Sequence, residues 1–99
     1  MTIKITESAS NDLIAGSRFY ESVEPGLGGY FLDSLFADID SLQLYAGIHP
    51  QKILSFYVML AKRFPFAVYY KVQHNIAVIY AVLDCRQDPD RTTSQLRSR

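Results

Sequence analysis

With 99 residues, 48% of them hydrophobic and 13% aromatic, the chain has apolar side chains for one core, no room for a second, and far too much apolar character to be disordered. Its lone cysteine, Cys85, excludes an internal disulfide and a multi-cysteine metal site and fits a reducing cytosol. The formal net charge of zero conceals two unlike halves: residues 1–50 carry two basic against seven acidic groups, net −5, and residues 51–99 eight basic against three acidic, net +5. If the halves form different faces, the second attracts an acidic segment, a phosphate backbone or an acidic protein.

Residues 2–6, TIKIT, alternate β-branched and polar side chains and predict a short strand with Ile3 and Ile5 on one face. They are not followed by the apolar run of roughly 7–15 residues that a secretory signal needs, so export is not expected. Ser8, Ser10 or Asn11 can cap a helix in which Ala9, Leu13, Gly16, Tyr20 and Val23 form one stripe. Glu24-Pro25-Gly26 stops it near Val23, because a helix rarely continues into the residue before proline. Leu27, Phe31, Leu35, Ile39 (or Asp38) and Leu42 form a second stripe, ending near Tyr45, with Asp33, Asp38 and Asp40 off it. So short a connection predicts an antiparallel helical hairpin that needs a sheet beneath it.

Runs of aromatic and β-branched residues supply that sheet: 53–62, 66–73 and 76–84. His74-Asn75 is a two-residue hairpin turn, since Asn tolerates positive φ. Short connections predict antiparallel pairing. The fold class is therefore α+β, β-α-α-β-β-β, with the hairpin on one face of a small antiparallel sheet. Residues 1–85 form a single domain. The stretch 86–99 offers Leu96 as its only large apolar residue and is expected to be a polar C-terminal tail, mobile or ordered by a partner. No stretch approaches the roughly 18 consecutive apolar residues of a membrane span, and no membrane association is expected.

The segments FYESVEPGLGGYFLDSL, residues 19–35, and KRFPFAVYYKV with AVLDCRQDP, within residues 62–89, resemble the RelE/ParE superfamily of type II toxin–antitoxin systems, closer to its ParE branch. The markers are the Phe-Tyr-Glu helix end, the Pro-Gly-Leu-Gly turn, the Arg-Phe-Pro-aromatic hinge, the paired tyrosines and the Arg-x-Asp-Pro close. The resemblance covers nearly the whole chain. It implies a bacterial, cytoplasmic growth-inhibiting toxin, often associated with plasmid stabilization, and a cognate antitoxin protein whose C-terminal segment wraps it. It also implies DNA gyrase as the target of a ParE-like member, or the ribosome and its mRNA as the target of a RelE-like one. A homodimer, or a heterotetramer with antitoxin, is compatible with either.

The basic residues are the informative group. Lys62 and Arg63 precede the Phe64-Pro65 hinge and Arg86 follows the last strand, so adjacent strands can bring them together. As a nuclease, the chain would use Lys62, Arg63 and Arg86 on the phosphate, and catalysis would still need an acid and a base. Asp84 stands where many nuclease-like family members have a histidine, which weakens that reading. As a binding protein, it would offer Lys62, Arg63, Tyr69, Lys71 and Arg86 to a target or antitoxin. Tyr69 and Tyr70 point to opposite faces of one strand, with Tyr70 expected inside and Tyr69 available to stack. Gly26, Gly28 and Gly29 match no phosphate-binding pattern and are turn residues. His49 and His74 lack partners at ligand spacing, so no metal and no cofactor are expected, and no motif places either to activate Cys85.

Overall fold

Period-two and period-3.6 patterns resolve into nine elements in the computed structural model, which describes residues 1–99: β1 (Thr2–Ile5), α1 (Glu7–Val23), α2 (Leu27–Asp40), α3 (Leu42–Tyr45), β2 (Gln51–Ile53), β3 (Phe56–Leu60), β4 (Phe66–Gln73), β5 (Ile76–Asp84) and α4 (Pro89–Arg97). The helix cap is Thr6, two to five residues earlier than the expected Ser8, Ser10 or Asn11; its hydroxyl accepts from the Ala9 N–H at 3.1 Å. At the other end of α1 the Glu21 carboxylate turns back and accepts from the N–H groups of Gly26 and Gly28 at 3.0 Å each. It thereby supplies the negative charge that the N-terminus of α2 attracts, where Gly26 itself gives no side-chain cap.

The two helices approach closely because two positions lack a side chain. A methyl group at Gly16 would lie 2.6 Å from Cζ of Phe31, and one at Gly28 would lie 2.6 Å from the Ser17 carbonyl oxygen. Ser17 Oγ donates to the Gly28 carbonyl at 3.1 Å across the same seam. Phe31, Leu35, Ile39 and Leu42 are buried at 0–1% exposure, as the second stripe predicts, whereas Val23 at the end of the first is 63% exposed. Each fully buried side chain of this size contributes roughly 1.5–3 kcal/mol by leaving water. Asp38 departs from the expectation: it is 6% exposed, and its Oδ2 accepts from the Lys62 N–H at 3.0 Å. A helix can present a carboxylate inward when a loop amide meets it there.

The sheet runs β1-β5-β4-β3-β2. It is mixed, not wholly antiparallel, because β1 lies parallel to β5 from Thr2↔Ile76 to Ile5↔Ile79. Connection length fixes the pairing of consecutive strands but not that of a strand separated from its partner by a helical hairpin. The expected strand over 53–62 is itself a hairpin, β2–β3, turning at Leu54-Ser55 with φ of 50° and 68°. His74-Asn75 turns as expected, with φ of 50° and 60°. A register shift opposite Tyr69/Tyr70 leaves Tyr80 unmatched in β5. Beyond this bulge the alternation changes phase, so that Val82 joins Ala77 and Ile79 on the hairpin face.

The tail also differs from expectation. Asp88 accepts from the Asp90 N–H at 2.9 Å and Pro89 occupies the first turn, so α4 begins as a capped helix. Leu96, 2% exposed, joins Phe56, Val58, Ala67, Tyr69, Ala81 and Leu83 in a second core on the face opposite the hairpin. Arg99 then grips Asp12 of α1 through two hydrogen bonds of 2.7 and 3.0 Å and donates to the Tyr80 carbonyl at 3.0 Å. One apolar residue sufficed because the sheet already exposed a complementary surface.

Candidate functional site

Antiparallel β4 and β5 place Phe66 opposite Asp84, so the loop before β4 and the segment after β5 emerge at the same end of the sheet. The loop is fixed by the Ala61 N–H on the Phe66 carbonyl at 2.8 Å and by Asp38 on the Lys62 N–H at 3.0 Å; the Cys85 N–H, donating to the Pro65 carbonyl at 2.8 Å, ties it to the end of β5. Phe64 plugs this end, its ring 4.7 Å from Tyr20, 5.0 Å from Phe31 and 5.6 Å from Tyr30.

The basic residues border that aromatic row. Arg63 donates to the Tyr30 hydroxyl at 3.2 Å, with its guanidinium 5.8 Å from the ring centroid. Arg86 stands at the other side, beside Tyr20, and makes a bidentate pair with Asp84 at 3.0 and 2.7 Å. The hydrogen bond from Arg86 holds the Asp84 carboxyl below its ordinary range, and Asp84 in turn raises the guanidinium. The order across the surface is therefore Arg86, Tyr20, Phe64, Tyr30, Arg63, with Lys62 next to Arg63. Beside the last two lies a cleft of about 390 Å³ between α2 and the β3–β4 loop, lined also by Asp33, Ser34 and Asp38.

Tyr69 and Lys71 lie elsewhere. Tyr69 is 6% exposed within the second core, not available at the surface, because α4 covers the face where it points. Tyr70, on the hairpin side, is fully buried as expected. Lys71 places its ammonium 4.5 Å from the Phe56 ring centroid and 5.8 Å from that of Tyr80, on the α4 side. The five candidate residues thus divide into three at the aromatic end and two on the opposite face. Tyr20, Tyr30, Ser34, Asp38 and Phe64 line the same end; Tyr20, Asp38 and Phe64 carried no signal beyond their place in the helical stripes and the hinge, and Tyr30 and Ser34 none beyond the helix itself.

For proton transfer the end is poorly furnished. Asp84 is engaged by Arg86, and His74 sits in the β4–β5 turn at the far end of the sheet. His49 faces inward, its Nδ1 hydrogen-bonded to the Tyr70 hydroxyl, which also accepts from the Gly47 N–H at 3.0 Å. Burial lowers the His49 pKa, which favours the neutral imidazole. Desolvation and the neighbouring Asp84 charge push the Cys85 thiol up, which leaves it little thiolate.

A helical hairpin on a mixed five-stranded sheet, with arginines flanking a row of partly exposed aromatic rings at one sheet end, defines a small α+β protein. The fold is that of a solved chain described as a chromosomal ParDE TA system from P. aeruginosa: the TM-score is 0.76 at 21% identity, over 83% of this chain and 92% of that one. No family model and no curated protein matches the sequence.

Proposed function

We propose that the chain is the toxin of a type II toxin–antitoxin system, ParE-like, which inhibits bacterial growth by binding a protein target and is neutralised by a cognate antitoxin. The observation that carries this reading is the fold shared with the ParDE chain over most of both lengths. The sequence resemblance to the ParE branch supports DNA gyrase as the target and the cytoplasm as the location. The aromatic end suits a protein partner, because half-exposed rings beside arginines are the side chains that dominate protein interfaces. No helix is long and apolar enough to cross a membrane.

A second reading, a RelE-like ribosome-dependent mRNA endonuclease, is favoured by the gathering of Lys62, Arg63 and Arg86 at one end. It is weakened by the engagement of Asp84 and the inward orientation of His49. A third, an inactive member that only binds antitoxin, shares the same surface.

Induction of the chain alone in bacteria separates them. Gyrase inhibition gives filamentation and a DNA-damage response. Rapid translation arrest with cleaved mRNA would replace the gyrase reading by the nuclease one, and normal growth would reject both.

A further inference from the structure

β1 is shorter than the strand it borders. It pairs with β5 only as far as Ile5↔Ile79, the Thr6 N–H donates to the Ile79 carbonyl at 3.0 Å, and the chain then leaves for α1. Residues 80–84 of β5 therefore have β4 on one side and no strand on the other. That open stretch ends an uncharged, proline-free run, IAVIYAVL, over residues 76–83. An apolar segment of high strand propensity with an open edge is a template for another strand.

Side chains occupy the template here. On the open side the Val82 N–H donates to Asp12 Oδ2 at 3.0 Å, and the Tyr80 carbonyl accepts from Arg99 Nη1 at 3.0 Å. The same two side chains form a bidentate pair at 2.7 and 3.0 Å, with Arg99 13% and Asp12 15% exposed. A neighbouring strand would present an acceptor and a donor in these places; a carboxylate and a guanidinium present them instead. Asp12 arrives from α1 on the hairpin face and Arg99 from just beyond α4 on the other, so the pair closes round the edge from both sides. A clasp that served only to hold α4 would need no contact with the strand, yet both halves of this one make such a contact.

We infer that the Asp12–Arg99 pair is an edge guard: it stands in for a missing strand beside Tyr80–Asp84 and keeps a second copy of this chain from adding its own β5 there. By the alternation of the strand, the Val82 carbonyl points the same way as its N–H, so two uncovered edges can pair antiparallel about a two-fold axis with the Val82 residues facing each other. Beside the edge, a groove of about 250 Å³ lined by Ala15, Gly16, Phe66 and the 55% exposed Phe19 leaves room for the side chains of an added strand. Neither Asp12 nor Arg99 belongs to the aromatic end, so the guard stands apart from the function proposed above.

The test is sedimentation of the full chain over a range of concentrations, wild type against Arg99→Gln and Asp12→Ala. Isotope-filtered nuclear Overhauser contacts in mixed labelled and unlabelled samples locate any new interface. Both variants should self-associate at least about tenfold more tightly than wild type, since each takes a charged partner from the backbone of the strand. The new intermolecular contacts should fall at Tyr80–Asp84. Arg97→Gln, which removes the same charge from the exposed side of α4, should sediment as wild type does. Arg99→Lys keeps the charge without the fork and should fall between wild type and Arg99→Gln; being the milder change, it decides the matter where the others unfold. Folded variants that sediment as wild type would overturn the inference. So would new contacts through Phe56, Val58 and Tyr69, which would mean that the substitutions had only loosened α4.

Discussion

The two faces of the sheet use the same residue types to opposite ends. On the α4 face, Lys71 lies over Phe56 and Tyr80 and Tyr69 is sealed beneath α4, so cation and rings satisfy one another. At the end of the hairpin face, Arg63 lies over Tyr30, which is 46% exposed, and beside an open cleft. The comparison teaches that a basic residue near an aromatic one is free for a partner only where the protein itself leaves the pair exposed.

The largest effect that can break the comparison is in the hairpin core. Phe31→Ala removes a ring packed against Gly16, Tyr20, Phe64 and Phe66 and should cost about 3–5 kcal/mol in urea unfolding. It should also loosen the aromatic end, which Phe64 plugs from the same side. Leu96→Ala on the other face should cost about 2–5 kcal/mol. Its signature should be local, with faster amide exchange over residues 89–97 and unchanged exchange in α1 and α2. Equal acceleration in both regions would mean that the two faces are one cooperative unit.

A smaller effect concerns pH. The lowered pKa of His49 means that below the ordinary histidine value, about 6.5, the unfolded chain binds a proton that the folded chain refuses. Stability is therefore complete above that pH and declines as pH falls through it towards the folded value. His49→Asn, which keeps a polar partner for the Tyr70 hydroxyl, should flatten this slope in Tm measured from pH 8 to pH 5. An unchanged slope would place the titrating group elsewhere. The smallest effect is a gain: Leu54→Asn with Ser55→Gly relaxes two positive-φ positions in the β2–β3 turn and should raise stability by roughly 1 kcal/mol.

Much of the hairpin face was legible in the sequence because its signals are periodic and local. The stripe Phe31, Leu35, Ile39, Leu42, the stop at Glu24-Pro25 and the turn at His74-Asn75 each depend on neighbours in the chain. What escaped depends on distant partners. Parallel β1 pairing, the phase change at Tyr80 and the burial of Asp38 beneath the Lys62 amide are decided by residues far away in sequence. The α4 face was missed although Asp88-Pro89 is a helix-start signal, because one apolar residue in fourteen does not announce a core. The same omission left Tyr69 expected at the surface, since nothing local revealed that α4 would cover it.

The central claim, that function resides at the Arg63–Arg86 end and not on the α4 face, is tested most directly by growth on induction of two double variants. Arg63→Ala with Arg86→Ala should abolish growth inhibition while shifting stability by less than about 0.5 kcal/mol, and Tyr69→Phe with Lys71→Gln should leave inhibition intact. Inhibition that survives the arginine pair and disappears with the Tyr69 and Lys71 pair, at unchanged Tm, would contradict the account.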